Sequence, residues 1–487
     1  DVPINLNNST EFYNKSDFIN SSVDINSTIN GSILGQIAVG QVNYGTGILS
    51  TDRDRITINN NGMIDLSGDN STGVLADFGK VTNTIGNTIK VTGDDSVGIY
   101  GSNGTLTTNN GTINIGNESV GIFGLNYLTG SSPGYGTGKI DISNNGNITS
   151  TGVLHGGYGI YANNLLSTAD SEITLGTGSN IDVSSGEAGI GIYATNSTLN
   201  IDGTITVGKN GIGVYTQGST GTINGGTISL NGDNAIGYYL TNGSSFTNLG
   251  GNIHVNGQNI ILMITDATSS INLTTPFSVS ATSGSTYVVG NMIGGDFYNN
   301  TSVTLGSNGS LINGVGTATL FDTSSNINSV GTNVSGMVIS GLYTDNPFPH
   351  SISGTAVNEE GTNLGLITLG NSSAGMYLKG GARARNEGTI SVGNSSVGIY
   401  AEGNGAYIVN NNGLINVGEE STGLFLKDGN SISNMGISEI KSTSKKSVGI
   451  YSENSVLGTA LITNDNKIDL SGDQSIGIYT TAENNIT

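Results

Sequence analysis

Residues 87–100 read Asn-Thr-Ile-Lys-Val-Thr-Gly-Asp-Asp-Ser-Val-Gly-Ile-Tyr. Two short apolar alternations, Ile89/Val91 and Val97/Ile99, flank a Gly-Asp-Asp corner, and period two marks strands with one buried face. The string returns at Gly62–Leu75 (GMIDLSGDNSTGVL), Gly111–Phe123 (GTINIGNESVGIF), Gly225–Tyr239, Gly365–Tyr377, Gly388–Tyr400, Gly413–Phe425 and Lys467–Tyr479. The glycine of its closing element falls at 73, 98, 121, 159, 191, 213 and 237, and again at 375, 398, 423, 449 and 477. Most intervals lie between 22 and 28 residues.

Two or three short strands per repeat, with β-branched interiors and Gly-Asp, Gly-Asn or Asn-Asn-Gly corners, describe one turn of a solenoid. A β-propeller blade would need about 40 residues and four longer strands. The pattern predicts an all-β chain: a right-handed parallel β-helix of about 20 coils with loop insertions, a rod roughly 100 Å long. Val97 and Ile99 are expected inward and Gly98 outward, which places Val97, Val120, Val397 and Val448 in internal columns. Residues 1–55 read as an N-terminal cap or irregular coils. Regular coils follow over 56–240, with an insertion at about 124–158. An irregular or inserted region spans 241–364, and regular coils resume over 365–487. The chain starts at Asp1 and closes in repeat text at Thr487, so we expect a trimmed fragment followed by more coils.

Composition narrows the function. Of 487 residues 78 are glycine, without collagen's period of three. Fifteen basic and 36 acidic residues leave a net charge of −21, which phosphate backbones repel, so nucleic acid is excluded as a partner. Cysteine is absent, removing disulfides, thiolate metal sites and cysteine nucleophiles. The longest purely apolar run, Ile260–Ile264, is far short of the ~20 residues of a membrane helix.

The repeated Gly-Asp-x-Ser strings at 68–71, 93–96 and 472–475 resemble the Gly-Asp-Ser-Gly loop of trypsin-like proteases. They recur once per coil, however, and His155, His254 and His350 do not recur with them, so no base is paired with the serines. They read as corners. Asp94-Asp95, Glu359-Glu360 and Glu419-Glu420 also fall at corners or loops, where adjacent acids stay solvated; calcium there would be adventitious. No catalytic residue, metal site or cofactor is expected. The aromatic closing the motif (Tyr100, Phe123, Tyr161, Tyr193, Tyr215 and Tyr239, then Tyr377, Tyr400, Phe425, Tyr451 and Tyr479) predicts a ladder rather than a sugar-stacking stripe. Ligand-binding candidates sit where the repeat fails, because insertions project from solenoids. These are Tyr127, Tyr135, His155 and Tyr158 between Gly121 and Gly159, and Phe297, Tyr298, Tyr343, Phe348 and His350 within 241–364. Arg383 and Arg385 beside the recovering coil are expected to pair with acids.

The tandem elements at Ser96–Tyr100, Ser396–Tyr400 and Ser447–Tyr451 resemble the passenger regions of very large fusobacterial autotransporter (type V secreted) adhesins. The likeness covers most of 60–240 and 365–487. It implies export through a C-terminal outer-membrane barrel, absent from this stretch, and display of a monomeric rod at the cell surface. It also implies adhesion to other bacteria and to host cells, through glycans, galactosyl sugars among them, or immunoglobulin-type receptors. Two other functions remain open on the sequence: a passive spacer, and a β-helix carbohydrate-active enzyme.

Overall fold

The computed structural model describes residues 4–5, 11–15, 21–42, 56–126, 139–165, 171–266, 268–273, 277–282, 285, 287–293, 296–299, 302–305, 307, 309–315, 318–321, 326–329, 331–340, 350–352, 355–357, 360–455, 460–481 and 485–487. The chain divides into two compact units, residues 1–246 with 250–257 and residues 247–249 with 258–487. Each unit is a parallel β-helix in its own right.

One coil of the first unit shows the plan. Thr88–Val91 lies in the first sheet, Val97–Ser102 in the second and Leu106–Asn109 in the third, and the chain re-enters the first sheet at Thr112–Ile115. Each strand pairs in parallel with its counterparts one coil before and after. Ile89 faces Ile64 and Ile113, Ile99 faces Val74 and Ile122, and Thr107 faces Val81 and Ile142. The second unit repeats the cycle through Thr389–Val392, Val397–Glu402 and Tyr407–Asn411. Counted over both units, each sheet position carries eighteen strands among the described residues. The coils are thus slightly fewer than the repeat length predicts, because inserted residues lengthen some of them.

The structure corrects one expectation about the motif. Val97 is half-exposed, whereas Gly98 and Ile99 are both buried. The same i-B-B pattern recurs at Val120, Val397 and Val448, so these valines line an outer column, not the core. Gly98 faces inward because nothing larger fits. A Cβ on it would lie 2.6 Å from Ile113 Cγ2 and 2.6 Å from the carbonyl oxygen of Gly121 one coil on. Gly73, Gly121, Gly159, Gly191, Gly375, Gly398, Gly423 and Gly449 meet the same pair of neighbours, an isoleucine Cγ2 and the next glycine's carbonyl, at 2.3–2.7 Å. Two successive inward residues reset the alternation, so that Ile99 fills the core and Tyr100 points out.

The corner before this strand carries a left-handed residue in coil after coil: Asn70, Asp95, Glu118, Asn210 and Asn234, then Ser372, Ser395, Glu420, Lys446 and Gln474, with φ between 52° and 61°. The conformation costs an L-residue about 1–2 kcal/mol. It turns the amide toward the next coil, where Asp95 N–H donates to Asn117 O and Ser395 N–H to Glu419 O. Polar ladders run inside as well. Asn60, Asn83, Asn109 and Asn144 pass amide hydrogen bonds of 2.7–2.8 Å from coil to coil, as do Asn363, Asn386, Asn410, Asn434 and Asn464 at 2.8 Å. Each link satisfies a polar group buried in a thin core.

The coils persist where the motif disappears. Ile260–Thr265, Tyr287–Ile293, Gly309–Val315, Ser335–Ser340 and Ala374–Lys379 are successive parallel strands of the second sheet. Here Leu262 and Leu311, both fully buried, occupy the register position of the inward glycine. Within 124–158 likewise, Asp141–Asn144 and Asn147–Ser150 are ordinary coil strands, and the extra residues fall at 127–138 and 151–157. Strands within 1–55 also pair in parallel with those of the following coils.

Gly98→Ala is expected to destabilise the coil by about 1–3 kcal/mol through overpacking against backbone that cannot yield. Gly225→Ala, at a position with nothing within 4 Å of the added Cβ, is expected to be close to neutral. Urea denaturation of the two variants side by side distinguishes this steric requirement from a general intolerance of alanine.

Candidate functional sites

The regular motif uses its own polar groups up. Ser71 N–H donates to Ser96 Oγ (3.0 Å) and Ser96 N–H to Ser119 Oγ (2.9 Å), while Ser96 Oγ donates to Asp94 O (3.2 Å). Ser373, Ser396 and Ser421 repeat the chain at 3.0 Å per link. The serines of the Gly-Asp-x-Ser strings at Ser71 and Ser96 are fully buried, and their hydroxyls serve this ladder. The aromatic column is a ladder too. Tyr100, Phe123, Tyr161, Tyr193 and Tyr215 stack with centroids 4.5–5.2 Å apart and planes within 9°. Stacked rings cover one another's faces, each pair contributing about 0.5–1.5 kcal/mol.

Charged side chains pair along corners and strands. Lys209 Nζ meets Glu187 Oε1 at 2.7 Å and Lys446 Nζ meets Glu420 Oε1 at 2.7 Å. In both pairs the lysine's hydrogen bond and charge hold the carboxyl below its usual range, so the acids stay ionised. Arg385 pairs with Glu387, and the Arg383 guanidinium lies 4.9 Å over the Tyr407 ring. Arg385 thus meets an acid as expected, whereas the partner of Arg383 is an aromatic ring one coil on.

The nine residues singled out from the sequence separate by place. Tyr127, Tyr135, Tyr343 and Phe348 lie outside the described residues. His155 sits in the 151–157 segment of the first unit, where Thr151, Val153, Leu154 and His155 are exposed and the three glycines buried, its Nε2 3.3 Å from Glu118 Oε1 and its backbone bridged to Glu187. Beside it Val153 and Leu154 are 76% and 66% exposed. Sequence reasoning passed over this apolar pair, although it interrupts the alternation just ahead of His155-Gly156-Gly157. Tyr158 is not a loop residue. It opens the strand Tyr158–Asn164 in register with Val120 and Ile190, packs edge-on against Tyr161 at 5.4 Å, and burial raises its hydroxyl pKa.

In the second unit Phe297 and Tyr298 lie on the third-sheet strand Asp296–Asn299, paired with Ala318–Phe321. His350 lies on an antiparallel hairpin, His350–Ile352 with Thr355–Val357. This hairpin interrupts a coil between Ser335–Ser340 and Glu360–Asn363, and its first strand rests against both Asp296–Asn299 and Ala318–Phe321. Three of the residues singled out are therefore carried on adjoining strands.

No protein-family model and no curated protein matches this chain. A chain of the cryo-EM structure of the Vag8–C1 inhibitor complex, Vag8 being a Bordetella autotransporter passenger, is similar at 13% identity. The match covers 98% of this chain and 100% of that one, with a TM-score of 0.31. Superposition this loose carries no inference about ligands.

Ser396→Ala removes the acceptor of the buried Ser373 N–H and is expected to cost about 1–3 kcal/mol. Equilibrium unfolding of the chain is the measurement, and a change below 0.5 kcal/mol, roughly the size of a surface substitution, would show that the hydroxyl ladder is dispensable.

Proposed function

We propose that the chain is part of the surface-exposed passenger of an autotransporter adhesin from a Gram-negative bacterium, tethered at the outer membrane by a C-terminal barrel. It attaches to host cells or to other bacteria by binding a glycan or an immunoglobulin-type receptor, and it performs no catalysis. The resemblance of the Ser-Val-Gly-Ile-Tyr elements supports the passenger assignment. The observation that carries adhesion is the hairpin His350–Val357, an antiparallel insertion laid on the third sheet of an otherwise parallel solenoid. A solenoid tolerates such an insertion without losing its coil, and irregular segments on rigid scaffolds are where contacts concentrate. The exposed Val153-Leu154-His155 tip offers a second contact of the same kind in the first unit.

Replacing 341–359 with a short Gly-Asn-Gly turn is expected to abolish attachment to host cells and partner bacteria while leaving the β-rich circular dichroism unchanged. Attachment undiminished in that variant and in one also lacking 151–157 would reject adhesion through inserted segments.

A further inference from the structure

The half-exposed column that opens the second-sheet strands is bulky throughout the first unit: Thr72, Val97, Val120, Tyr158, Ile190, Ile212 and Ile236. In the second unit Val397 and Thr422 repeat Val97 and Thr72, but Ser310, Ser335 and Ala374 are smaller than any of these first-unit residues. There a groove of about 590 Å³ opens across four coils. Its floor is this column. One wall is the left-handed corner, with Asn333, Ser372, Ser395 and Glu420; the other is the aromatic column, with Tyr377 and Phe425.

We propose that this groove binds a linear, neutral oligosaccharide lying along the direction in which the coils stack. Three features of the lining select that chemistry. The hydroxyls of Ser335, Ser372, Ser395 and Thr422 make no hydrogen bond among the described residues, unlike the buried Ser373 and Ser396 beside them. They form a file of free donors and acceptors at coil spacing. That spacing, about 4.8 Å, is comparable to the length of one pyranose ring, so successive sugars meet successive coils.

Phe425 departs from the stacked ladder. Its plane is turned 85° to Tyr400 and 70° to Tyr451, whereas Tyr377–Tyr400 and Tyr451–Tyr479 stack at 17° and 12°. Phe425 therefore meets its neighbours edge-on and leaves its faces uncovered by the ladder, as a sugar's C–H face requires. Finally, the single charged side chain of the lining, Glu420, is already paired with Lys446 at 2.7 Å, so the lining holds no cation of its own, and the chain carries a net charge of −21. Uronic, sialylated or sulfated chains are repelled, and neutral ones are not. The site is independent of the hairpin and of any attachment made there.

Titration calorimetry of the full chain against hexamers of β-1,4-glucose, β-1,3-glucose, β-1,4-galactose and, as the acidic control, galacturonic acid tests this. At least one neutral hexamer is expected to bind and the acidic one is not. Ser335→Ile with Ala374→Ile refills the floor with the residue that Ile190, Ile212 and Ile236 carry at equivalent positions, so the fold is expected to hold. Binding should fall at least about tenfold. Phe425→Leu, which keeps the groove open, should weaken binding severalfold, and deletion of 341–359 should leave it intact. Failure of every neutral hexamer to bind, equal binding of the acidic one, or unchanged affinity in the folded double variant overturns the proposal.

Discussion

The motif-bearing coils of this protein are seated on one another by a contact with no slack. The inward glycine of the second sheet has its own coil's backbone on one side and, on the other, an isoleucine methyl and the next glycine's carbonyl, both within about 2.7 Å of where a Cβ would stand. A one-residue slip would drive a side chain into that space, and slipping by one also inverts every face of a strand. The register is therefore set sterically, and the ladders follow from it. Once glycine lies over glycine, serine must lie over serine at the corner, asparagine over asparagine at the end of the third sheet, and ring over ring outside. Hydrogen bonds and stacking then stabilise an alignment that packing has already imposed. The exposed ion pairs, such as Lys90 with Asp65 at 3.1 Å, are screened by solvent and complement the register rather than create it.

The same contact explains what was legible in the sequence. Repeat length, corner residues and alternating isoleucines are local signals, and they sufficed for a parallel β-helix. The aromatic ladder was legible because its spacing matched the repeat. The orientation of Val97 and Gly98 was not, since strict alternation assigns the larger residue inward. Only the neighbouring coil's Ile113, adjacent in space and fifteen residues away in sequence, shows that the inward place is already filled. The coils within 241–364 were hidden for the converse reason. Where Leu262 and Leu311 take the glycine's register position the motif vanishes from the text, although the strands continue in register.

Candidate sites were less legible than the fold. Tyr158 reads as part of a glycine- and tyrosine-rich loop, yet register makes it a strand residue equivalent to Val120. His155 is exposed as its Gly-Gly surroundings imply, but its neighbours across coils, Glu118 and Glu187, become adjacent only on coiling. That Phe297, Tyr298 and His350 lie on touching strands was likewise invisible, because some fifty residues separate them. In a solenoid, proximity runs across the repeat rather than along the chain.

A repeating scaffold makes departures informative. In a globular core a serine or alanine at one half-exposed position would pass as ordinary variation. Here Ser335 and Ala374, with Ser310 in register beside them, are smaller than the first-unit residues of the same column, so their smallness opens a groove rather than merely trimming a surface. Ser372 and Ser395 sharpen the point. They hold a left-handed backbone that asparagine or aspartate accepts more readily, and the first unit uses those residues at Asn70, Asp95, Asn210 and Asn234, with Glu118 and Ala188 in the same conformation. Serine there carries conformational strain without the compensation of a local side-chain bond. What it supplies is a short, free hydroxyl at the rim of the groove. In the coil of Ser372 and Ala374 both columns are small, and with the neighbouring Ser335 and Ser395 they face the aromatic column where Phe425 leaves its stack.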